Sequence, residues 1–331
     1  MGKKFKVVVT DFITEPLDTE REMLGDDVEV VALDAYSEDE VIDRIEDADA
    51  VILYHLISLT EKSVARLRNC RLIVRAGVGY DNVDWRLARE RGIDVANVPD
   101  YGTEDVADSA IGLMLSLTRG IHYHNSRLRR GLGEWGYSEY RQVPRLRGRT
   151  FGVIGLGRIG TAAALRAKAL GMNVVFFDPH ARDGTDKAVG AKRVETLDEL
   201  LEQTFVLSPH CPLTPETKHI VNAAAIARLP KGAYVVNTSR GGVVDVEAVL
   251  DGVTAGQLAG AGIDVLETEP PSGSERFIQA WRDPEHPAHD RIIVNPHTAF
   301  YCEEGLGEMR TKAVQNVARV LRGEAPRNLV N

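Results

Sequence analysis

The chain has 331 residues, 44% of them hydrophobic and 27% charged, which suits a globular protein with room for two domains and their cores. A formal charge of −9 and a pI near 5.6 argue against nucleic acid or an anionic membrane as partner. No apolar run reaches the length of a membrane span, and the one after the basic start is too short for a signal peptide. Cys70, Cys211 and Cys302 match no metal or disulfide spacing, so a reduced, cytoplasmic protein without structural metal is expected.

From the start, short β-branched runs alternate with amphipathic segments. Residues 6–11, 28–33, 50–55, 72–75 and 94–98 read as strands, and 39–48, 60–69 and 84–91 as helices between them. Such βα alternation predicts a parallel sheet covered on both faces. After a turn-rich break at 99–103, residues 104–130 read as one long helix, with Val106, Ala110, Leu113, Leu117 and Ile121 on its apolar face. His122 and His124, two apart, face different sides of it and are expected to be solvated rather than metal ligands. Residues 131–148, rich in arginine and aromatics, read as an irregular surface arm.

The next stretch organises the second half. An apolar run, 151–154, enters Gly155, Gly157 and Gly160 in a GxGxxG spacing, an Ala-rich helical segment follows over 161–170, and a second apolar run ends on Asp178. Gly155 allows the tight turn, Gly157 leaves no side chain between backbone and a pyrophosphate, and Gly160 lets helix and strand approach. The helix N-terminus offers unpaired N–H groups to an anion, and Arg158 and Ile159, inside the glycine spacing, are candidate cofactor-binding residues with the three glycines. Asp178 can accept both hydroxyls of an adenosine ribose, which favours NAD over NADP. The predicted fold class is α/β: two doubly wound parallel-sheet domains, one flavodoxin-like and one a Rossmann dinucleotide-binding domain.

Alternation resumes with strands at 205–210, 233–238, 259–265 and 291–295, helices near 197–202, 223–227 and 246–252, and a last amphipathic helix over 303–322. Ligands of open α/β sheets bind beyond the carboxyl ends of the strands, so the residues there are the candidates for chemistry. His297 is the natural acid–base group, Glu269 a carboxylate able to support it, and Arg240 a planar fork suited to a carboxylate and its adjacent carbonyl. His55 and Arg75 end strands of the first domain. Each reads either as a structural strand-end group or as substrate contact, His55 a polar pocket wall and Arg75 a second cation.

These motifs, together with His210 to Thr214, Val236 to Asp245, Gly262 to Pro270 and Pro296-His297, resemble the D-isomer-specific 2-hydroxyacid dehydrogenases over nearly the whole chain. The resemblance implies Arg240 as substrate anchor, Glu269 as partner and His297 as proton donor or acceptor. It implies Asp264 near the nicotinamide carboxamide, with Cys211, Pro212, Thr217, Thr238 and Ser239 lining NAD(H). It further implies that the amides of Gly77, Val78 and Gly79 cradle the substrate carboxylate. Residues 1–101 and 299–331 would form the substrate domain and 102–298 the cofactor domain, with a hinged cleft and a homodimer built through the cofactor domain. Within the family the chain is most similar to the C-terminal binding protein branch. Phe300 stands where that branch has a tryptophan, so its preference for a bulky keto acid does not carry over. The segment 271–290 is longer than usual and is expected over the cleft or at a domain contact.

The expected activity is NAD-dependent interconversion of a small 2-keto acid and its 2-hydroxy acid. Two alternatives stay open from the sequence: a corepressor-like interaction protein that senses NADH, and a formate- or phosphite-type dehydrogenase.

Overall fold

The computed structural model describes residues 4–137 and 143–331. The chain divides into two compact units, residues 1–102 with 302–331, and residues 103–301. In the first unit β1 (Phe5–Val9), β2 (Val28–Ala32), β3 (Ala50–Leu53), β4 (Leu72–Arg75) and β5 (Asp94–Asn97) form one sheet in the order β2-β1-β3-β4-β5. All pairs are parallel, and this is the flavodoxin-like doubly wound order. Val7, Val8 and Val9 are fully buried, as are nearly all of β3 and β4. Cover on both faces explains why these strands are continuous apolar runs instead of alternating ones.

The helices of this unit depart from the expected pattern. Residues 39–48 form two short 3-10 turns, Glu38–Glu40 and Ile42–Arg44. The helix expected over 60–69 shrinks to Glu61–Val64, capped by Thr60. Val41 and Ile45 are buried four residues apart, and two anchors at that spacing are satisfied by consecutive turns as well as by a helix. A helix absent from the sequence reading, Asp18–Leu24, packs on the last helix, Glu303–Leu321. Its inward residue is a carboxylate: Glu20 is 1% exposed and accepts two hydrogen bonds from Arg310, from Nε at 2.8 Å and Nη2 at 2.6 Å.

The second unit carries β6 (Thr150–Ile154), β7 (Asn173–Phe177), β8 (Lys192–Arg193), β9 (Val206–Pro209), β10 (Ala233–Asn237), β11 (Leu258–Ile263) and β12 (Ile292–Val294), in the order β12-β11-β10-β9-β6-β7-β8. Counted from β6 this is 3-2-1-4-5-6 with one strand added, the dinucleotide-binding order, and it reverses between β6 and β9. The helix Arg158–Ala169 buries Ala162, Ala163, Ala164 and Ala167 and lies against the helix Thr103–Thr118. Small residues on that face let the two helices approach.

The long helix expected over 104–130 is two helices, Thr103–Thr118 and Ile121–Arg129. Gly120 breaks it in the left-handed region at φ 64°, a conformation glycine adopts without steric cost. The first piece buries its apolar stripe, whereas the second buries none of its residues. His122 is not simply solvated: Nδ1 lies 3.0 Å from the Ser116 carbonyl and Nε2 3.0 Å from that of Asp290. The expected arm at 131–148 falls partly on 138–142, outside the described residues; on its described part Trp135 and Tyr137 are 92% and 94% exposed. Within 271–290 lies another unforeseen helix, Arg276–Arg282, whose Phe277, Ile278 and Ala280 join the core of this unit. Arg276 ties it to Glu247 and Asp251, each at 2.7 Å. Among the described residues no helix is long and apolar enough to cross a membrane, and no group of three or more His, Cys, Asp and Glu is placed to hold a metal ion.

Candidate active site

Beyond the carboxyl end of β6 the chain turns at Gly155, whose φ is 86° and whose amide donates to the Phe177 carbonyl at 2.9 Å. The three glycines meet different surroundings. A Cβ on Gly155 would lie 3.0 Å from the amide of Cys211, and one on Gly160 2.2 Å from the Gly155 carbonyl oxygen. One on Gly157 would meet nothing within 4 Å. Gly155 and Gly160 therefore serve close backbone packing, and Gly157 keeps space clear. Gly157 caps Arg158–Ala169 without a side-chain bond, so the first amides of that helix, at Arg158 and Ile159, point outward toward that space.

Asp178 ends the next strand, and its carboxylate does work the sequence does not reveal. Oδ2 accepts from the Leu156 amide at 2.9 Å and Oδ1 from the His180 amide at 2.8 Å, so it braces the glycine loop. Each oxygen keeps a second lone pair for a ribose hydroxyl. After β9, burial pushes the Cys211 thiol up to about 11, which keeps it a neutral, inert wall. The Thr217 hydroxyl closes the turn after Cys211, donating to the Pro212 carbonyl at 2.6 Å and accepting from the Thr214 amide at 2.8 Å. Ser239 is turned to Asn237 Oδ1, through its amide at 3.0 Å and its hydroxyl at 2.8 Å. Thr238 Oγ1 is buried without a hydrogen-bond partner among the described residues. A buried unpaired hydroxyl is costly, and with the clear space at Gly157 it fits a site that receives a polar cofactor.

The three candidate reacting groups lie on loops that touch. A Cβ on Gly241, next to Arg240, would fall 2.0 Å from the carbonyl carbon of Leu266, so the Arg240 loop and the 266–269 loop pack backbone to backbone. Arg240 Nη1 donates to the Ser239 carbonyl at 2.9 Å, and its own carbonyl accepts from Asn237 Nδ2 at 2.9 Å. Glu269 accepts from the Leu266 amide at 2.7 Å through Oε1 and from His297 Nδ1 at 2.6 Å through Oε2. Burial pushes the Glu269 carboxyl up, but the bond to His297, the Leu266 amide and the charge of Arg240 together hold it below the usual carboxylate range. Phe300 stands edge-on to the His297 ring, centroids 6.0 Å apart at 88°.

Asp264, 2% exposed, faces the loop that carries His297. Its carboxylate accepts from the amides of Thr298 at 3.0 Å and Ala299 at 3.1 Å. Burial raises its carboxyl against the pull of these amides and of His297. A second strand-end histidine, His210, is not a rival donor near neutral pH, because burial lowers it to about 4 and leaves it neutral.

The remaining candidates belong to the first unit. His55 lies under Phe12, ring centroids 4.6 Å apart, on a turn held by Asp11, whose carboxylate accepts from the amides of Tyr54 and Leu56, both at 2.8 Å. Arg75 is 7% exposed and folds back along its own turn, donating to the Ala76 carbonyl at 3.2 Å and to Asn82 Oδ1 at 3.4 Å. It is therefore an inward-facing group rather than a rim charge. The turn Gly77, Val78, Gly79 follows directly, with Gly77 at φ 151°.

Residues 111–299 match the model of the family described as D-isomer specific 2-hydroxyacid dehydrogenase, NAD binding domain. The chain is 34% identical over 326 residues to D-3-phosphoglycerate dehydrogenase of Methanocaldococcus jannaschii, covering 98% of this chain and 59% of that protein. It is 32% identical over 317 residues to C-terminal-binding protein 1 of Caenorhabditis elegans, covering 94% of this chain and 43% of that protein. Both relatives are thus considerably longer than this chain. Among solved structures, D-lactate dehydrogenase from Aquifex aeolicus complexed with NAD and lactic acid superposes with a TM-score of 0.84 at 27% identity, over 96% of each chain. The matched domain, the strand order and the glycine loop agree that the second unit binds NAD(H), and the chain belongs to the D-isomer-specific 2-hydroxyacid dehydrogenase family.

Proposed function

We propose that this protein is an NAD(H)-dependent oxidoreductase that interconverts a small 2-keto acid and its D-2-hydroxy acid. The observation that carries the reading is the 2.6 Å bond between His297 Nδ1 and Glu269 Oε2, on loops at the carboxyl edge of the NAD-binding sheet. NADH, when bound, supplies the hydride. With Nδ1 engaged by the carboxylate, Nε2 of His297 is the nitrogen that delivers a proton to the substrate oxygen. Glu269 accepts from Nδ1 and so fixes the orientation of the ring. Arg240 binds and polarises the substrate, and in the first unit the amides of Gly77, Val78 and Gly79 offer a nest suited to a carboxylate. Asp178 receives the adenosine ribose, and Phe300 supplies an apolar wall beside His297.

The test is NADH oxidation against a panel of 2-keto acids, with NADPH as control, followed by His297→Gln. Turnover in the variant is expected to fall about 10²- to 10⁴-fold, with NADH affinity within twofold of wild type. Near-normal turnover would remove His297 from the chemistry. Activity on formate or phosphite, with the keto acids inert, would move the protein to the dehydrogenases that oxidise a one-carbon or inorganic anion.

A second reading has the 32% identity to C-terminal-binding protein 1 in its favour: a binding protein gated by NADH. It would gain if keto-acid reduction were barely detectable while a partner was captured only in the presence of NADH. We also propose that the protein is a homodimer through its second unit. The helix Ile121–Arg129 buries none of its residues, and Ile121 and Leu128 on it are 56% and 42% exposed. Light scattering on the full chain tests this, and a monomeric mass would reject it.

A further inference from the structure

Two asparagines without a role so far knit together the candidate substrate residues of the first unit. Asn97 ends β5 in register with Arg75 on β4 and is 7% exposed. Its Nδ2 donates to the Val78 carbonyl at 2.7 Å, while the Val98 amide donates to the Gly77 carbonyl at 3.0 Å. The carbonyls of Gly77 and Val78 are thereby committed to the end of β5 and the residue after it. The amides of Gly77, Val78 and Gly79 are left with no acceptor among the described residues, and successive N–H groups of this kind form an anion-binding nest.

Asn82 acts on the same turn from the other side. Its Nδ2 donates to the carbonyls of Tyr54 at 2.9 Å and Ile57 at 2.8 Å, and its Oδ1 accepts from Arg75 Nε at 3.4 Å. Two carbonyl acceptors fix which end of the amide is nitrogen, so the oxygen faces the guanidinium. Arg75 in turn lies against Gly77, where a Cβ would sit 1.5 Å from Nη1. Only glycine permits that approach.

We propose that Asn97 and Asn82 are positioning residues of a carboxylate site. Asn97 draws the turn's carbonyls away so that its amides converge on the anion. Asn82 holds Arg75, and the turn carrying His55, in register with them. The identity of the anion, the carboxylate of a small 2-keto acid, rests on the function proposed above; the geometry of the site does not.

The experiment compares wild type, Asn97→Ala and Asn82→Ala as full chains. It measures steady-state reduction of the keto acid the wild type uses best, NADH binding by fluorescence, and calorimetric binding of oxamate, an isostere of pyruvate. Each variant is expected to raise KM about tenfold, equivalent to about 1.4 kcal/mol, with kcat within twofold and NADH affinity unchanged. A purely structural role would lower thermal stability without that selective effect on KM. A folded variant with unchanged KM and unchanged oxamate affinity overturns the assignment of that residue. Asn82 is half-buried and lies outside the strands, so it keeps the test decisive should Asn97→Ala fail to fold. If the wild type reduces no 2-keto acid, the proposed function falls, and oxamate alone decides this inference. Binding by the wild type that both variants lose supports it, whereas binding equal in all three proteins, or absent from all three, overturns it.

Discussion

His297 hangs from Asp264. The Asp264 carbonyl accepts the His297 amide at 2.8 Å, and its carboxylate accepts the next two amides of the chain, those of Thr298 and Ala299. His297 itself sits at φ 52°, a left-handed conformation that a non-glycine residue keeps only when its surroundings impose it. Asp264 is what imposes it.

Asp264→Asn should therefore damage the reaction through geometry. Oδ1 accepts from both Thr298 and Ala299, whereas Oδ2 accepts from Ala299 alone, so an amide in this place keeps the first oxygen's bonds and turns its NH2, in place of Oδ2, against the Ala299 N–H. A buried donor set against a donor costs about 1–3 kcal/mol, or about 2–12 °C in melting temperature for a unit spanning residues 103–301. Turnover should fall about tenfold to a hundredfold, since a small misplacement of a reacting group costs that much. NADH affinity should hold. A weaker NADH complex with normal kcat would instead place Asp264 against the cofactor.

The glycine loop yields a paired prediction. Gly157→Ala adds a methyl group where nothing lies within 4 Å, at a φ of −75° open to alanine. It should leave the melting temperature within about 1 °C while weakening NADH binding tenfold or more, about 1.4 kcal/mol. Gly160→Ala drives its methyl to 2.2 Å from the Gly155 oxygen, and it should lower the melting temperature by several degrees. Equal thermal losses in the two variants would contradict this division of labour.

Asp178 should set cofactor choice. Asp178→Ser removes the negative charge that disfavours a 2′-phosphate, so the ratio of NADH to NADPH efficiency should fall about tenfold or more. Because the carboxylate also accepts the Leu156 amide, some loss of affinity for both cofactors should accompany the change. Unaltered preference would take Asp178 off the ribose.

Glu269 makes stability depend on pH with a definite sign. Its carboxyl is lower in the folded protein than its ordinary value, so it contributes stability above the unfolded value, near 4.3. That contribution is lost as pH falls through the folded value. Glu269→Gln should melt below wild type at pH 7, and the gap should close as the solution is acidified below about pH 4. A gap constant from pH 7 to pH 3.5 would mean that the carboxylate's charge plays no part.

Sequence and structure agree where burial leaves a plain signature. β4 is legible residue for residue, since Leu72 to Arg75 are buried on both faces, and the turn at Gly155 announces the NAD-binding sheet. That Glu269 and His297 should meet is legible too, because both follow strands of one parallel sheet and such strand ends converge. The helix Asp18–Leu24 is not legible, because the residue it turns inward is Glu20, and only a partner far along the chain makes that burial tolerable. The break at Gly120 is hidden because apolar spacing continues through Ile121 although the helix does not. Asn82 and Asn97 escape notice for another reason. Asparagine next to a strand end is common in turns, and only the hydrogen bonds distinguish one that aims a backbone from one that merely ends a strand.

The ion pair between Glu20 and Arg310 joins residues 290 positions apart, and the whole of the second unit lies between them in the chain. On the ribosome, the carboxylate of Glu20 emerges early and waits for its counter-ion until the second unit has been synthesised. The helix on which its own helix packs is the one that carries Arg310, so cover and counter-ion arrive together, and the several kcal/mol that an uncompensated buried charge would cost is avoided. The first unit, though begun first, closes last.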